Sequence, residues 1–344
     1  VHFCERDSSG TTRPTQSGGA GDGADSPTRA GEAREAARPK LFIYCERYFE
    51  THRMIRTRIA PTPSGFLHQG NMYSFVLTWL IARTSPTGGR VHLRLDDIDA
   101  ARCRPEYVSD IFDTLLWLGL DWDSGAQNAT DFYQNHSQQL FLSDYLPLAE
   151  YLLAQGQAFL CTCSRADLAK TPCTCAQKQA NIASTQAAAY RFDSQKAGGT
   201  DNFVLKGKNG APAYMLVSVL EDVRHDINFI VRGRDLLPTT EAQMLLAQAA
   251  DNYMLAGRNI SQFLQTRFLH HGLLLGEDGA KLSKSAGATA IQDLRKKHNR
   301  SDFFRFLSHN LSLPICDNLD DLRRYFDLSR FLSSNISDKL DHTF

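Results

Sequence analysis

The chain has 344 residues, 42% of them hydrophobic, enough for one large domain and a small one at about 150 residues per domain. Lys+Arg number 38 and Asp+Glu 38, a net charge of +0, which excludes a broad basic face for nucleic acid and leaves room only for a local patch. No apolar run reaches the ~18 residues of a bilayer span, so a soluble, cytoplasmic chain without membrane contact is expected.

Residues 1 to about 39 are Gly, Ser, Thr, Ala, Pro, Arg and Asp with almost no large apolar side chains, too little to offset the entropy of ordering them. They lack the apolar stretch of a secretory signal, and their acidic residues argue against a transit peptide. Met54 is the first methionine and stands directly before Ile55-Arg-Thr-Arg-Ile-Ala60, which reads as the first core strand. Residues 1–53 are therefore expected to form a low-complexity extension outside the folded domain, with a docking element at residues 41–49 as the alternative.

From Ile55 strands and helices alternate. A strand over residues 56–60 meets a Pro/Gly loop and then an apolar helix over 71–83; Arg90-Val-His-Leu-Arg-Leu95 is the next strand. A helix opened by Pro105 and Glu106 follows, with Val108, Ile111, Phe112, Leu115 and Leu116 at helical spacing, and another helix covers 137–155. This order predicts an α/β fold with a parallel sheet. Residues 157–212 are shorter in their elements and more polar, and read as an insertion. The αβ pattern resumes at Tyr214-Met-Leu-Val-Ser-Val219 and Asn228-Phe-Ile-Val-Arg232, with a helix over 240–252 and an apolar segment over 263–275. The predicted organisation is an extension (1–53), a first half (54–156), the insertion (157–212), a second half (213–290) and a short helical tail (291–344).

Three clusters carry chemistry. In Pro61-Thr-Pro-Ser-Gly-Phe-Leu-His-Gln-Gly-Asn71, the prolines and Gly65 force a tight turn that delivers His68, Gly70 and Asn71 to a helix N-terminus, where unpaired N–H groups favour an anion. Alone, this reads more readily as an ordinary strand–turn–helix with a capping asparagine, and only the second motif reverses that reading. About two hundred residues later, Lys281-Leu-Ser-Lys-Ser285 places Lys281, Ser283 and Lys284 in a polar loop that can reach one pyrophosphate and stabilise its charge as it leaves. Cys161-x-Cys163 and Cys173-x-Cys175 offer four thiolates within fifteen residues, a donor set suited to a structural zinc in a segment with little core, against a metal-free loop of free thiols.

With both polar motifs in hand, residues 54–285 resemble the catalytic part of glutamyl-tRNA synthetases, and most of all the shortened relatives called glutamyl-Q tRNA(Asp) synthetases. Matching segments include Thr57-Arg-Ile-Ala-Pro-Thr-Pro-Ser-Gly65, Leu93-Arg-Leu-Asp-Asp-Ile-Asp99, Pro212-Ala-Tyr-Met-Leu216 and Val231-Arg-Gly-Arg-Asp-Leu-Leu237. The resemblance implies a Rossmann-type class I catalytic domain with a small zinc-binding insertion, ATP with Mg2+, one structural Zn2+ per chain and L-glutamate as substrate. It places glutamate on Arg58, Thr62, Asp96, Tyr214 and Arg232, and ATP on His68, Gly70, Asn71, Lys281, Ser283 and Lys284. His68, Lys281 and Lys284 would be catalytic. The family usually has Glu at position 96, Ser at 62 and an aliphatic residue at 69, where this chain has Asp96, Thr62 and Gln69.

About sixty residues follow the lysine loop, fewer than an anticodon-binding region needs. They include Leu294-Arg-Lys-Lys-His-Asn-Arg300, a basic run that can meet RNA phosphates. The expectation is a monomer that transfers glutamate to queuosine in the anticodon loop of tRNA(Asp). The alternatives are a truncated enzyme charging the 3′ end of tRNA(Glu), or a non-catalytic relative that binds RNA or protein.

Overall fold

The computed structural model describes residues 42–44, 53–178, 187–272 and 291–336. Strand β1 (Phe42–Tyr44) precedes β2 (Ile55–Ile59), the core strand read from the sequence. In β2, Ile55, Thr57, Arg58 and Ile59 are all buried, as in a parallel strand covered on both faces. Helix α1 (Gln69–Arg83) returns the chain to β3 (Gly89–Leu93), which pairs parallel with β2 and sets Arg58 opposite His92. Helix α1 is buried nearly all round, from Met72 to Ala82, so it carries no polar face for an amphipathic pattern to reveal.

Helix α2 (Pro105–Leu118) starts on Pro105 and ends on Gly119 at φ 78°, the left-handed closure glycine supplies. Val108, Ile111, Phe112 and Leu115 are buried as expected, whereas Leu116 is 65% exposed. Strand β4 (Ser124–Gly125) extends the parallel sheet from β3. At Gly125, with φ 95°, a Cβ would overlap the Leu93 carbonyl oxygen. The single helix expected over 137–155 divides: a 3-10 turn (Gln138–Phe141) precedes α3 (Leu142–Ala154). The cause is Asp97, which accepts from Ser137 Oγ at 2.5 Å and Gln138 N at 2.8 Å and holds the start of that turn.

The insertion is an antiparallel meander of β5 (Ala158–Cys161), β6 (Ala189–Phe192) and β7 (Phe203–Lys206). Phe192 and Leu205 anchor it in a core shared with Leu148, Leu216 and Leu246. The run at 214–219 opens helix α4 (Tyr214–Arg224), despite β-branched residues that give little helical cue. Then follow β8 (Phe229–Gly233), α5 (Leu237–Ala249) and β9 (Arg267–His271), which pairs parallel with β8.

Strand β1 pairs antiparallel with β9, Phe42 opposite His270; the rest of the expected extension, residues 1–41 and 45–52, and of the alternative at 41–49 lies outside the described residues. Within the expected helical tail the described residues form helices α6 (Ile291–Lys297), α7 (Arg300–Asn310), α8 (Leu319–Tyr325) and α9 (Leu328–Ile336). Phe303, Phe304, Leu307 and Leu322 join the core of α1 and α2. Among the described residues no helix is long and apolar enough to cross a membrane.

Candidate active site

Strand β2 is the turning point of the sheet. On one side it pairs with β3; on the other, Asn228 N donates to Arg56 O at 2.9 Å and brings β8 alongside. Where strand order reverses, the loops leave in opposite directions and a crevice opens at the carboxyl ends. A cavity of about 580 Å³ lies there. Every expected substrate residue lines it: Arg58, Thr62, Asp96, Tyr214 and Arg232. So do His68, Gly70 and Asn71 of the first motif. Lys281, Ser283 and Lys284 lie outside the described residues.

The N-terminus of α1 is built by reciprocal capping. His68 Nδ1 accepts from Gly70 N at 3.1 Å, and Asn71 Oδ1 accepts from His68 N at 3.0 Å. The capping role belongs to His68 itself, with Asn71 as its partner. Because Nδ1 accepts, the neutral ring carries its proton on Nε2 and donates from there. Gln69 begins the helix but does not line the cavity.

Four buried charged groups form one chain of ion pairs. Asp222 Oδ1 accepts from Arg58 Nε at 3.2 Å and from Arg94 Nη1 at 2.8 Å. Arg94 Nε then donates to Asp96 Oδ1 at 2.7 Å, and Gln138 Nε2 donates to the same oxygen at 3.0 Å. Only the two ends, Arg58 and Asp96, face the cavity. Arg58 is held through Nε, so its Nη1 and Nη2 carry no hydrogen bond among the described residues and offer a two-pronged donor to a carboxylate. Burial pushes the Asp96 carboxyl up, against the pull of Arg94.

Sequence reasoning passed over Arg94, Gln138 and the pairing role of Asp222, which sits late in α4. The one available signal for Arg94 is its two-residue spacing from Asp96, which puts both on one side of an extended segment. It also passed over Ser74 and His271, two further lining residues. His271 Nδ1 donates to the Gly272 carbonyl at 2.8 Å, so Nε2 accepts from Ser74 Oγ at 2.5 Å and ties α1 to β9.

The four clustered cysteines converge as the spacing anticipates. Their sulfurs lie within 4.8 Å of one another. Cys161–Cys173 and Cys163–Cys175 are each 3.6 Å apart and Cys163–Cys173 is 3.9 Å apart. A tetrahedron of sulfurs about 2.3 Å from a zinc ion has edges of roughly 3.8 Å, so this donor set fits zinc. Burial pushes the Cys161 thiol up to about 12, and a cation among the sulfurs would favour its thiolate.

Comparison with known proteins follows the same lines. Residues 54–196 match the family described as tRNA synthetases class I (E and Q), catalytic domain. A glutamyl-Q tRNA(Asp) synthetase from Nitratidesulfovibrio vulgaris is 33% identical over 277 residues, covering 70% of this chain and 81% of that one. Another, from Symbiobacterium thermophilum, is 32% identical over 319 residues, covering 80% of this chain and 94% of that one. The crystal structure of a glutamate-tRNA synthetase from Elizabethkingia anophelis superposes with a TM-score of 0.60 at 19% identity, a likeness of fold. It covers 80% of this chain, and the chain spans 66% of that synthetase. The parallel sheet with its switch-point cavity and the identity across nearly the whole length of these shorter relatives agree: the chain belongs to the class I glutamyl- and glutaminyl-type tRNA synthetases, a family of ligase-type enzymes, and within it to the glutamyl-Q tRNA(Asp) synthetase group.

Proposed function

We propose that the chain activates L-glutamate with ATP and transfers the glutamyl group to the queuosine base in the anticodon loop of tRNA(Asp). The observation that carries this reading is a cavity in which two guanidinium groups, Arg58 and Arg232, stand beside the N-terminus of α1. Two cations suit a substrate with two carboxylates, and the helix terminus suits the phosphates of ATP. The choice of queuosine is supported by the names of the two shorter relatives, whose length this chain nearly spans.

In the first step an oxygen of the α-carboxylate bonds to the α-phosphorus while the bond to pyrophosphate breaks. His68, donating from Nε2, stabilises the growing phosphate charge, and Lys281, Ser283 and Lys284 take the leaving pyrophosphate. Mg2+ accompanying ATP would supply further neutralisation of the charge that develops there. Asp96 receives the substrate ammonium, directly or through water, and Tyr214 and Thr62 shape the pocket. In the second step a queuosine hydroxyl attacks the adenylate carbonyl, the ester bond forms, and AMP leaves. Cys161, Cys163, Cys173 and Cys175 would hold a zinc ion, whose chemistry there would be structural, stapling the insertion.

His68→Asn keeps a capping oxygen but loses the ring donor. Glutamate-dependent pyrophosphate exchange is expected to fall by about 10²-fold at an unchanged melting temperature, the usual effect of removing one donor to a developing charge. An unchanged rate would reduce His68 to a helix cap.

The deciding experiment is transfer of labelled glutamate, with ATP, onto tRNA prepared with and without queuosine. Label only on queuosine-containing tRNA is the expected result. Label on both would make the chain a 3′-charging enzyme, and label on neither would make it a non-catalytic relative.

A further inference from the structure

One buried cation beside the cavity has no ion-pair partner among the described residues. Arg58, Asp222, Arg94 and Asp96 are joined in ion pairs, two cations with two anions. Arg232 stands outside that chain. It is 5% exposed, and no carboxylate among the described residues forms an ion pair with it. Its Nη1 and Nη2 both donate instead to one neutral atom, Gln243 Oε1, each at 3.0 Å. The Phe268 ring lies under the guanidinium, 4.8 Å from its Cζ.

Gln243 sits on α5, is 1% exposed and does not line the cavity. Its Nε2 donates to Ser218 Oγ at 2.5 Å. That bond turns the amide so that its oxygen faces Arg232. Arg232 is thus anchored by a neutral oxygen and forms no ion pair of its own among the described residues. Burial, and Arg58 nearby, draw the pKa of Arg232 down to about 10, which still leaves it a cation at neutral pH.

We propose that Gln243 is a specificity-determining residue, a neutral anchor that aims Arg232 into the cavity while reserving its charge for the side-chain carboxylate of the substrate. The inference rests on the glutamate reading above. It explains how the site prefers an acidic amino acid over its amide: glutamate completes the missing ion pair, whereas glutamine leaves a buried cation unpaired. A carboxylate at position 243 would fill the same space and neutralise Arg232 from behind. Ser218 would then reverse and donate its hydroxyl proton.

The test is amino-acid-dependent pyrophosphate exchange by the full chain, comparing wild type, Gln243→Glu and Gln243→Met, with melting temperatures alongside. Wild type is expected to use glutamate far better than glutamine. In Gln243→Glu the KM for glutamate should rise at least ~100-fold while the KM for ATP stays within ~2-fold, a split that a general packing defect does not produce. The glutamate-to-glutamine preference should collapse with it. Gln243→Met removes the anchor but keeps the charge free, so it should raise the KM for glutamate only ~10-fold and keep the preference. A Gln243→Glu protein with wild-type KM for glutamate would overturn the proposal, as would a Gln243→Met protein that loses the preference equally. Failure of wild type to exchange with glutamate would overturn the glutamate reading itself, and the wild-type measurement separates that case from the other two.

Discussion

Asp222→Asn should destabilise the protein by about 3–5 kcal/mol, the usual consequence of removing one partner from a buried ion pair. The side chain is 2% exposed and a single oxygen, Oδ1, accepts from both Arg58 and Arg94. Asparagine keeps that oxygen and the shape of the side chain, so the substitution removes charge and little else. Two buried guanidinium groups would then share Asp96 alone, with the cation of Arg232 nearby. Arg94, which donates to both Asp96 and Asp222, would keep an acceptor at position 222 but lose the negative charge there. Chemical denaturation checks it: the midpoint should fall with the slope unchanged. A loss below about 1 kcal/mol would mean that water or a rearranged Asp96 replaces the missing charge.

Removal of zinc is the second large expected effect. Freshly purified, reduced protein should carry one zinc per chain through dialysis, because structural zinc sites bind with roughly 10–16 kcal/mol at neutral pH. A strong chelator, or Cys173→Ser, should release the metal and expose the backbone amides of residues 161–178 to hydrogen exchange. The damage should stop there. Phe192 and Leu205 are fully buried against α3 and α4, so the meander is held by its own core as well as by the metal. Elemental analysis with hydrogen exchange by mass spectrometry reads both parts. Absence of zinc from the purified protein would show that the thiols are merely close, and unchanged exchange after its loss would show that the metal staples nothing.

What the sequence reveals about this site depends on how far apart the cooperating residues lie. His68, Gly70 and Asn71 are legible because a turn and a helix start are local events, written in neighbouring prolines and glycines. The cysteines are legible because both pairs fall within fifteen residues. Arg58, Tyr214 and Arg232 reach the same cavity from three elements, and only the resemblance to a family brings them together. The ion-pair chain is beyond either route. Arg94 and Asp222 are 128 residues apart, and an aspartate late in a helix ordinarily reads as solvent-facing. Gln138 and Gln243 are harder still, since buried glutamine carries no charge to balance and no spacing to recognise. The fold shows the same division. The alternation of strands and helices from Ile55 survives, while the helical identity of the run from Tyr214 and the partition of residues 137–155 depend on contacts made far along the chain.

The short strand at Phe42–Tyr44 has a meaning for the protein's behaviour in solution. Strand β9 pairs with β8 on one side; on the other it would present unpaired N–H and C=O groups between Phe268 and His270. A bare strand edge of this kind is a template on which a second molecule can add its own strand. The pairing of Phe42, Ile43 and Tyr44 with His270, Leu269 and Phe268 occupies that edge from within the same chain. Three residues add little to folding stability, but they turn a self-adhesive border into a closed one.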